Sequence, residues 1–447
     1  MTPASVRVAF YTLGCKVNQA ETDQLASQFA AVGYTCVPFE ATADVYVVNT
    51  CTVTHVGDAK SRQILRQAQR RDSNALVVAT GCYASIAGDS LPVNDVLVVR
   101  NREKHDLVEI VSEKLGVFVQ PNILDQDKYV AQGLLAVSPI HVHSRPMVKV
   151  QDGCDSACSY CIIPRARGRS RSVPPEGVVR QVEDHSKRGH PEVVITGVDL
   201  GSYGDNEPQH GDLGSLLGRL LAETSIPRVR VSSVEPGDFD PSWLTLWENP
   251  RLCRHFHVPL QAGSDGVLKR MRRKYDTAQF AEMLSNIRRH VPGVAVTTDV
   301  IVGFPGETEE EFAEGLAFIR HCRFDGMHVF SYSRRTGTAA ARLEGQVPEL
   351  IKKERSLQLR RIADAGRHRH VERFLGSVQE VAWEEQREDG WRGITDNNIR
   401  VFSQDLDIQS RSLEHRLLHH CHRDGALATK VGSEAPALAQ PSSSPLG

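Results

Sequence analysis

The chain has 447 residues, too many for one hydrophobic core, and a typical domain of roughly 150 residues predicts about three domains. Hydrophobic residues make up 40% and charged residues 24%, which excludes a disordered, collagenous or coiled-coil protein. The net charge of −2 excludes a globally basic nucleic-acid binder but not locally basic surfaces. No run approaches the ~20 apolar residues that cross a bilayer, and the N-terminus has no apolar stretch of signal-peptide length. We therefore expect no membrane partner and a reducing, cytoplasmic location.

The first 118 residues alternate strand and helix patterns. Strands are predicted over 7–13, 44–50, 75–80 and 95–99, and helices over 18–32 and 57–71. Continuous apolar runs separated by helices are typical of a doubly wound parallel sheet. We therefore predict an α/β domain over 1–118. A linker over 119–144 follows, because that stretch shows no clear periodicity.

The alternation resumes at residue 145 and continues to residue 372. Six strand patterns, separated by amphipathic helices, are MVKVQ (147–151), EVVITG (192–197), RVRVSS (228–233), HFHVPL (255–260), VAVTTDVIVG (294–303) and GMHVFSY (326–332). Six strands in alternation with helices predict a partial (β/α) barrel over 145–372. A basic helix is expected over 348–374.

The pattern changes again after residue 373. SVQEVAWEEQ and GITDNNIRVF, within 376–402, predict short strands, so we expect a small β domain over 373–432. The stretch HRLLHHCHRD (415–424) is unusual for such a domain. The Ala-, Pro- and Ser-rich residues 433–447 are typical of a disordered tail.

Three cysteines form a compact C-x3-C-x2-C pattern: Cys154, Cys158 and Cys161. They follow a predicted barrel strand, and barrel active sites lie at the carboxyl ends of strands. Three thiolates can hold three irons of a cubane iron–sulfur cluster and leave the fourth iron open. A structural zinc site is the alternative, but it needs four ligands, and no His follows before His185.

A second set of cysteines is spread over the N-terminal domain. Cys15, Cys51 and Cys82 each follow a predicted parallel strand, about one strand–helix unit apart. Loops at the carboxyl ends of neighbouring parallel strands converge, so these thiols are expected to meet and hold a second cluster. The alternative is three unrelated core cysteines, since Cys is often a small buried hydrophobe. The remaining cysteines are expected to be of that kind: Cys36, Cys253, Cys322 and Cys421.

The C-x3-C-x2-C spacing resembles that of the radical S-adenosylmethionine (SAM) superfamily. Later strand ends carry further motifs of that superfamily in order: ITGVDLGSYG (195–204), SSVEP (232–236) and TDVIVGFPGET (298–308). The resemblance implies that the open iron chelates SAM and that one electron cleaves SAM to a 5′-deoxyadenosyl radical. It also implies cofactor contacts from Tyr160, Gly197, Glu235 and Gln261. For Tyr160 the alternative is packing within the barrel.

Longer motifs resemble the methylthiotransferase family, which combines a three-cysteine N-terminal domain, a radical SAM barrel and a C-terminal TRAM domain. These motifs are TLGCKVNQAET (12–22), NTCTVT (49–54), TGCYA (80–84), CIIPRARGRSRS (161–172), HVPLQAGSDGVLKRMRRKY (257–275) and VIVGFPGET (300–308). The resemblance covers about residues 1–400. It implies SAM and two [4Fe-4S] clusters as cofactors, one cluster on each cysteine triad.

The residues around the first cysteine differ between branches of this family. GCQMN is typical of enzymes acting on isopentenyl-adenosine, and GCPKN of those acting on a ribosomal protein. GCKVNQAET, with CTVT and GCYA, resembles the branch that methylthiolates C2 of N6-threonylcarbamoyladenosine at position 37 of tRNA. The implied partners are the tRNA anticodon loop, a flavodoxin- or ferredoxin-like electron donor and a sulfur donor. The alternatives are a methylthiotransferase that acts on isopentenyl-adenosine or on a ribosomal protein, a non-catalytic iron–sulfur RNA-binding protein, or a redox-relay protein.

Basic residues form three clusters that are candidate phosphate contacts. The clusters are the alternating Arg165, Arg167, Arg169 and Arg171, then KRMRRK (269–274), and then the basic residues of 352–370. Such side chains could bind phosphates around an RNA loop whose bases are splayed out. The alternatives are solvated surface and interdomain ion pairs, and Arg165 could instead face the cofactor.

Overall fold

The computed structural model describes residues 5–118 and 144–432. The N-terminal residues form a parallel sheet with the order β2-β1-β3-β4-β5. Its strands are β1 (Arg7–Thr12), β2 (Thr35–Val37), β3 (Val45–Thr50), β4 (Leu76–Thr80) and β5 (Val96–Val98). Its helices are α1 (Lys16–Ala31), α2 (His55–Arg71), α3 (Gly81–Ala87) and α4 (Leu107–Leu115).

Helices cover both faces of this sheet, which confirms the predicted doubly wound fold. Val47 packs with Phe29 of α1 on one face, while Val48 packs with Leu65 of α2 on the other. Both faces of β3 are buried, which explains its continuous apolar sequence. The short strand β2 was not predicted. Helix α1 begins two residues earlier than expected, with Cys15 at its N-cap.

The central residues form two three-stranded parallel sheets that together make a partial barrel. Their orders are β10-β9-β6 and β11-β12-β13, and a parallel bridge between Ser233 and His257 joins them. The strands are β6 (Met147–Lys149), β7 (Gln151–Asp152), β8 (Arg171–Ser172), β9 (Glu192–Thr196), β10 (Arg228–Val231), β11 (His255–His257), β12 (Ala295–Val302) and β13 (Gly326–Ser331). The helices are α5 (Ile163–Arg167), α6 (Pro175–Lys187), α7 (Leu213–Glu223), α8 (Asp265–Met271), α9 (Thr277–His290), α10 (Glu309–Cys322) and α11 (Glu349–Glu372). All six predicted barrel strands are present.

The two faces of the barrel sheets differ in polarity. Residues such as Val296 and Val300 of β12 belong to the core beneath the outer helices. The alternate residues, including Thr297 and Asp299, point to the inner face because successive side chains of a strand alternate. Thr297 Oγ1 lies 2.8 Å from His255 Nε2 and 2.9 Å from His257 Nδ1. The inner face is therefore polar, as expected where a barrel binds a ligand.

The C-terminal residues form a small closed β-barrel, which confirms the predicted β domain. Its strands are β14 (Val378–Arg387), β15 (Gly390–Thr395), β16 (Arg400–Ser403), β17 (Leu413–His422) and β18 (Gly425–Lys430), closed in the order β14-β15-β16-β18-β17. Trp383, Ile399 and Leu418 fill its core. Arg230 of the larger barrel donates a hydrogen bond to the carbonyl of Thr395, 2.9 Å away, so this domain docks beneath the inner face.

Most of the predicted linker (119–144) and the whole predicted tail (433–447) lie outside the described residues. In the part of the chain that the structure describes, no helix is both long and apolar enough to cross a membrane.

Candidate functional site

The N-terminal triad lies at the carboxyl ends of three adjacent strands. Cys15 follows β1, Cys51 follows β3 and Cys82 follows β4. Burial raises the pKa of the Cys51 thiol to about 11, and the neighbouring thiols of Cys82 and Cys15 add to this effect. Gly14 permits the close approach, because a Cβ there would lie 2.9 Å from Cys51 Sγ. The structure thus brings these three predicted residues together.

Amide and hydroxyl groups tie the three cysteine loops to one another. Asn18 Nδ2 donates to the carbonyl of Leu13 at 2.7 Å and to that of Thr50 at 3.1 Å. Thr50 Oγ1 donates to the carbonyl of Thr80 at 2.5 Å and accepts from the Ala84 amide at 3.0 Å. The backbone around the triad is therefore fixed by the chain itself.

The second triad lies on one loop between β7 and α5. Gly153 has φ of +76°, and a Cβ there would lie 2.0 Å from the Arg169 carbonyl oxygen, so the sharp turn into this loop requires glycine. The Cys154 amide then donates to the Gly168 carbonyl at 3.2 Å, which folds the loop back on itself. All three thiols, of Cys154, Cys158 and Cys161, are half-buried.

Two charged residues contact these thiols, and neither role was predicted from the sequence. Asp199 Oδ2 lies 3.1 Å from Cys154 Sγ, and burial together with this carboxylate raises the pKa of Cys154 to about 12. Arg273 Nη1 lies 3.1 Å from Cys158 Sγ. Asp199 stands in the ITGVDLGSYG motif, where only the glycines were considered. Arg273 stands in KRMRRK, which was interpreted as a phosphate-binding cluster.

Two of the residues expected to contact SAM also lie beside this loop. Glu235 forms an ion pair with Arg273. Tyr160 packs against the barrel core, as its alternative assignment predicted, while its hydroxyl lies 3.5 Å from Arg273 Nη1. Both side chains therefore share one charged partner next to Cys158.

The other two residues expected to contact SAM, Gly197 and Gln261, lie where hydrogen bonds fix the backbone of the barrel loops. Gly197 lies against Gln151, because a Cβ at Gly197 would be 2.9 Å from Gln151 Oε1. That oxygen accepts hydrogen bonds from the amides of Val198 and Asp199, both at 2.9 Å. Gln261 has φ of +63°, and its amide donates to the Asp299 carbonyl at 2.8 Å.

The two triads face each other across the domain interface. Cys82 is close enough to Cys161 to contribute to the raised pKa of that thiol, after burial and Cys158. Asn101 bridges the two sides, since its Nδ2 donates to the Ala166 carbonyl at 3.0 Å and lies 3.8 Å from Cys82 Sγ. A molecule bound between the domains would reach both cysteine sets.

A buried charge network joins the two domains beside the triads. Arg167 Nη1 lies 2.8 Å from Glu21 Oε1 and 2.7 Å from Asp152 Oδ1. Lys104 and Lys149 also pair with Glu21, at 2.6 Å and 3.1 Å. Although burial alone would raise the pKa of Glu21, these three cations hold it well below its usual range. Arg167 is therefore not a phosphate contact, and the interdomain alternative is correct for it.

A second interdomain contact lies next to Cys51. Arg335, which follows β13, forms an ion pair with Asp58 of α2 at 2.8 Å. The same guanidinium donates to Thr52 Oγ1, directly after Cys51. The N-terminal triad is thus fixed to the barrel from two sides.

Most of the other predicted phosphate contacts are also paired with carboxylates. Arg270 pairs with Glu311, and Arg355 pairs with Glu307 at 2.7 Å. Arg169 stays exposed, with 84% of its side chain accessible and a long 3.5 Å contact to Asp155. Arg165 is also exposed, and its guanidinium lies against Gly337. Exposed arginines such as these two remain candidates for contact with RNA.

Replacing Glu21 by glutamine is expected to destabilise the protein strongly. The buried Lys104 and Arg167 and the half-buried Lys149 would lose their shared anion, and breaking a buried ion pair from one side costs about 3–5 kcal/mol. We expect a lower midpoint of thermal unfolding for Glu21→Gln. The matched control is Glu223→Gln, whose partner Arg219 lies on the surface, and it should leave the midpoint unchanged. Adding Lys104→Met to Glu21→Gln should recover part of the loss; equal midpoints for Glu21→Gln and Glu223→Gln would contradict this account.

The chemistry of both triads fits an iron–sulfur cluster. Each supplies three thiols, in loops whose backbone is fixed by glycines and hydrogen bonds. Within residues 5–118 and 144–432, no three Cys, His, Asp or Glu side chains converge on a position for a single metal ion.

Two parts of the chain match known protein families. Residues 148–319 match the radical SAM superfamily, and residues 7–99 match the uncharacterized protein family UPF0004. The chain shares its fold with the radical SAM methyltransferase TsrM from Kitasatospora setae, solved with cobalamin and a [4Fe-4S] cluster bound. That likeness has a TM-score of 0.55 and 16% identity, and it covers 76% of this chain and 77% of that one.

Named relatives extend over most of the chain. The threonylcarbamoyladenosine tRNA methylthiotransferase MtaB of Bacillus subtilis is 40% identical, over 88% of this chain and 89% of the relative. The enzyme of that name from Aquifex aeolicus is 39% identical, over 86% and 94%. The tRNA-2-methylthio-N(6)-dimethylallyladenosine synthase of Moorella thermoacetica is 31% identical, over 93% and 97%. This chain therefore belongs to the radical SAM methylthiotransferases, enzymes whose cofactors are SAM and [4Fe-4S] clusters.

Proposed function

We propose that this enzyme adds a methylthio group to C2 of N6-threonylcarbamoyladenosine at position 37 of tRNA. The observation that carries the proposal is the placement of two cysteine triads face to face, in a chain 40% identical to an enzyme named for that nucleoside. The sequence GCKVNQAET around Cys15 supports the same branch of the family.

Each triad has a separate task in this proposal. Cys154, Cys158 and Cys161 hold the cluster that binds SAM, and Cys15, Cys51 and Cys82 hold a second cluster at which the sulfur is supplied. When bound, these groups provide the radical chemistry that an unactivated aromatic C–H bond needs, because side-chain acids and bases cannot readily remove such a hydrogen.

The protein itself holds the reacting groups at fixed positions. Arg273 and Glu235 place a paired charge beside Cys158, and Asp199 Oδ2 lies 3.1 Å from Cys154 Sγ. The buried network around Glu21 joins the two domains beside the triads. Because small errors in position cost a large part of the rate, this positioning of the domains would contribute to catalysis in its own right.

The RNA enters this proposal as a single-stranded loop. Bases in loops can be splayed out and inserted into a pocket, whereas bases within a helix cannot. The polar inner face of the barrel, with Thr297, Asp299 and His257, is the surface that the inserted adenine would meet. A flavodoxin- or ferredoxin-like protein would supply electrons and a separate donor the sulfur, in a reducing cytoplasm.

The competing substrate is isopentenyl-adenosine. It is an alternative because an enzyme named for dimethylallyladenosine is 31% identical over 93% of the chain. The test gives the reconstituted enzyme two anticodon stem-loops that differ only in the N6 group of adenosine-37. Losing a charged hydrogen-bond partner costs a few kcal/mol, so we expect roughly 100-fold faster methylthiolation of the threonylcarbamoyl RNA, measured by nucleoside mass spectrometry. Equal rates, or a preference for isopentenyl, would overturn the choice of substrate and leave the family assignment intact.

A further inference from the structure

Helix α8 ends in a turn that directs one arginine towards the barrel cysteines. Arg272 follows the helix with φ of +59°, and the amide of the next residue, Arg273, donates to the Leu268 carbonyl at 3.0 Å. A left-handed residue followed by a hydrogen bond back to the last turn is a common way to end a helix. The position of Arg273 is therefore fixed by the way in which the helix stops.

The loop that carries Cys158 is bound to the same helix end. Ser159, the next residue, donates from its amide to the Met271 carbonyl at 3.0 Å and from its hydroxyl to the Arg270 carbonyl at 2.8 Å. Carbonyl groups in the last turn of a helix have no partner within the helix, so Ser159 satisfies two of them. These two hydrogen bonds hold the backbone of Cys158 next to the residue that follows the helix, Arg273.

The Arg273 side chain is buried and donates to a thiol. Its Nη1 lies 3.1 Å from Cys158 Sγ, and only 6% of the side chain is exposed. The other two guanidinium nitrogens are also bound: Nη2 pairs with Glu235, and Nε donates to Tyr275 Oη at 3.2 Å. The guanidinium carbon lies 5.1 Å from the centroid of the Tyr275 ring. Because every nitrogen of the guanidinium has a partner, the N–H group that faces the sulfur is held in its direction.

We propose that Arg273 raises the reduction potential of the cluster held by Cys154, Cys158 and Cys161. This inference rests on the proposed function, which places a cluster on these thiols. Reduction adds one electron from the external donor, and part of the added negative charge lies on the sulfurs. Hydrogen bonds to the sulfurs are among the factors that set the potential of such a cluster, and a charged donor forms the stronger bond. Arg273 therefore favours the reduced cluster, which supplies the electron that cleaves SAM.

Two carboxylates oppose this effect. Asp199 Oδ2, 3.1 Å from Cys154 Sγ, disfavours added negative charge on that side of the loop. Glu235 balances part of the charge of Arg273, but it binds Nη2, whereas Nη1 faces the sulfur, so the contact with the thiol remains. Removing the Glu235 carboxylate should accordingly strengthen the influence of the guanidinium on the cluster.

The experiment measures the potential of the barrel cluster alone, in the absence of SAM. The full chain carries alanine in place of Cys15, Cys51 and Cys82, and the reduced cluster is followed by electron paramagnetic resonance during an anaerobic redox titration. Adding Arg273→Gln should shift the reduction equilibrium about tenfold towards the oxidised cluster, which is ~59 mV for one electron. Arg273→Lys should recover part of this shift, because lysine keeps the charge but lacks the planar fork of arginine.

The matched control is Arg270→Gln. Arg270 belongs to the same helix but pairs with Glu311 at 2.5 Å instead of contacting a thiol, so its replacement should leave the potential unchanged. Glu235→Gln should shift the equilibrium towards the reduced cluster, opposite to Arg273→Gln, because the guanidinium then has no counter-ion. This variant decides the question if Arg273→Gln holds no cluster.

Equal potentials in the parent protein, Arg273→Gln and Glu235→Gln would overturn the proposal, as would an equal shift in Arg270→Gln. So would an Arg273→Gln protein that binds SAM more weakly at an unchanged potential, since Arg273 would then be a partner of the SAM carboxylate. Failure of the proposed function has a different signature. In that case the parent protein of this series would hold no iron, whatever residue 273 is.

Discussion

A protein with Cys154, Cys158 and Cys161 all replaced by alanine is expected to hold about four irons, where the wild type holds about eight after anaerobic reconstitution. It should form neither 5′-deoxyadenosine nor the methylthio nucleoside. The reason is that the three thiols lie half-buried on one loop of the barrel, whereas the N-terminal triad lies on separate segments that follow β1, β3 and β4. Iron analysis and product chromatography with dithionite as reductant provide the two measurements.

The control for this variant is Cys322→Ala. Cys322 is buried in the core beneath the outer helices and belongs to neither triad. Its replacement should keep about eight irons and both products. If the triple variant also kept eight irons, the barrel loop would not be a cluster site. If Cys322→Ala lost iron, general damage to the barrel would explain the result.

The overall fold was predictable because a strand that is buried on both faces has a continuous run of apolar residues in the sequence. Strand β3 is buried on both faces, and its run of apolar residues identifies a parallel strand without any tertiary information. Strand β17 has no such continuous apolar run. Arg416 in it is almost fully buried, and its charge is balanced by Asp405 at 2.7 Å and by Glu414. A sequence pattern cannot show that a buried arginine has found such partners.

The cysteines of the site were predictable for a different reason. Few residue types can hold an iron–sulfur cluster, and the position of these cysteines after strands could be seen in the sequence. The roles of Arg167 and Glu21 could not, because 146 positions separate the two residues in the chain. An arginine next to a cluster motif has the same sequence signature whether it binds a phosphate or a buried carboxylate.

Replacing Cys51 by alanine is expected to separate SAM cleavage from the formation of the methylthio nucleoside. Cys51 interacts with the thiols of Cys15 and Cys82 at the end of β3 and is not part of the barrel loop. SAM cleavage should therefore continue, and 5′-deoxyadenosine should form at a rate close to that of the wild type. The methylthio nucleoside should fall below detection, because the proposed source of sulfur is lost.

Cys36→Ala is the matched control for this separation. Cys36 lies in β2 of the same sheet, is also partly buried, and its thiol donates a hydrogen bond to the Ala26 carbonyl at 3.5 Å. Its replacement should leave both products unchanged, so that a loss seen in Cys51→Ala cannot be attributed to removing a thiol from this domain. Full methylthiolation by Cys51→Ala would show that sulfur reaches the adenine from elsewhere. Loss of 5′-deoxyadenosine in Cys51→Ala would show instead that the two triads depend on each other across the domain interface that Asn101 bridges.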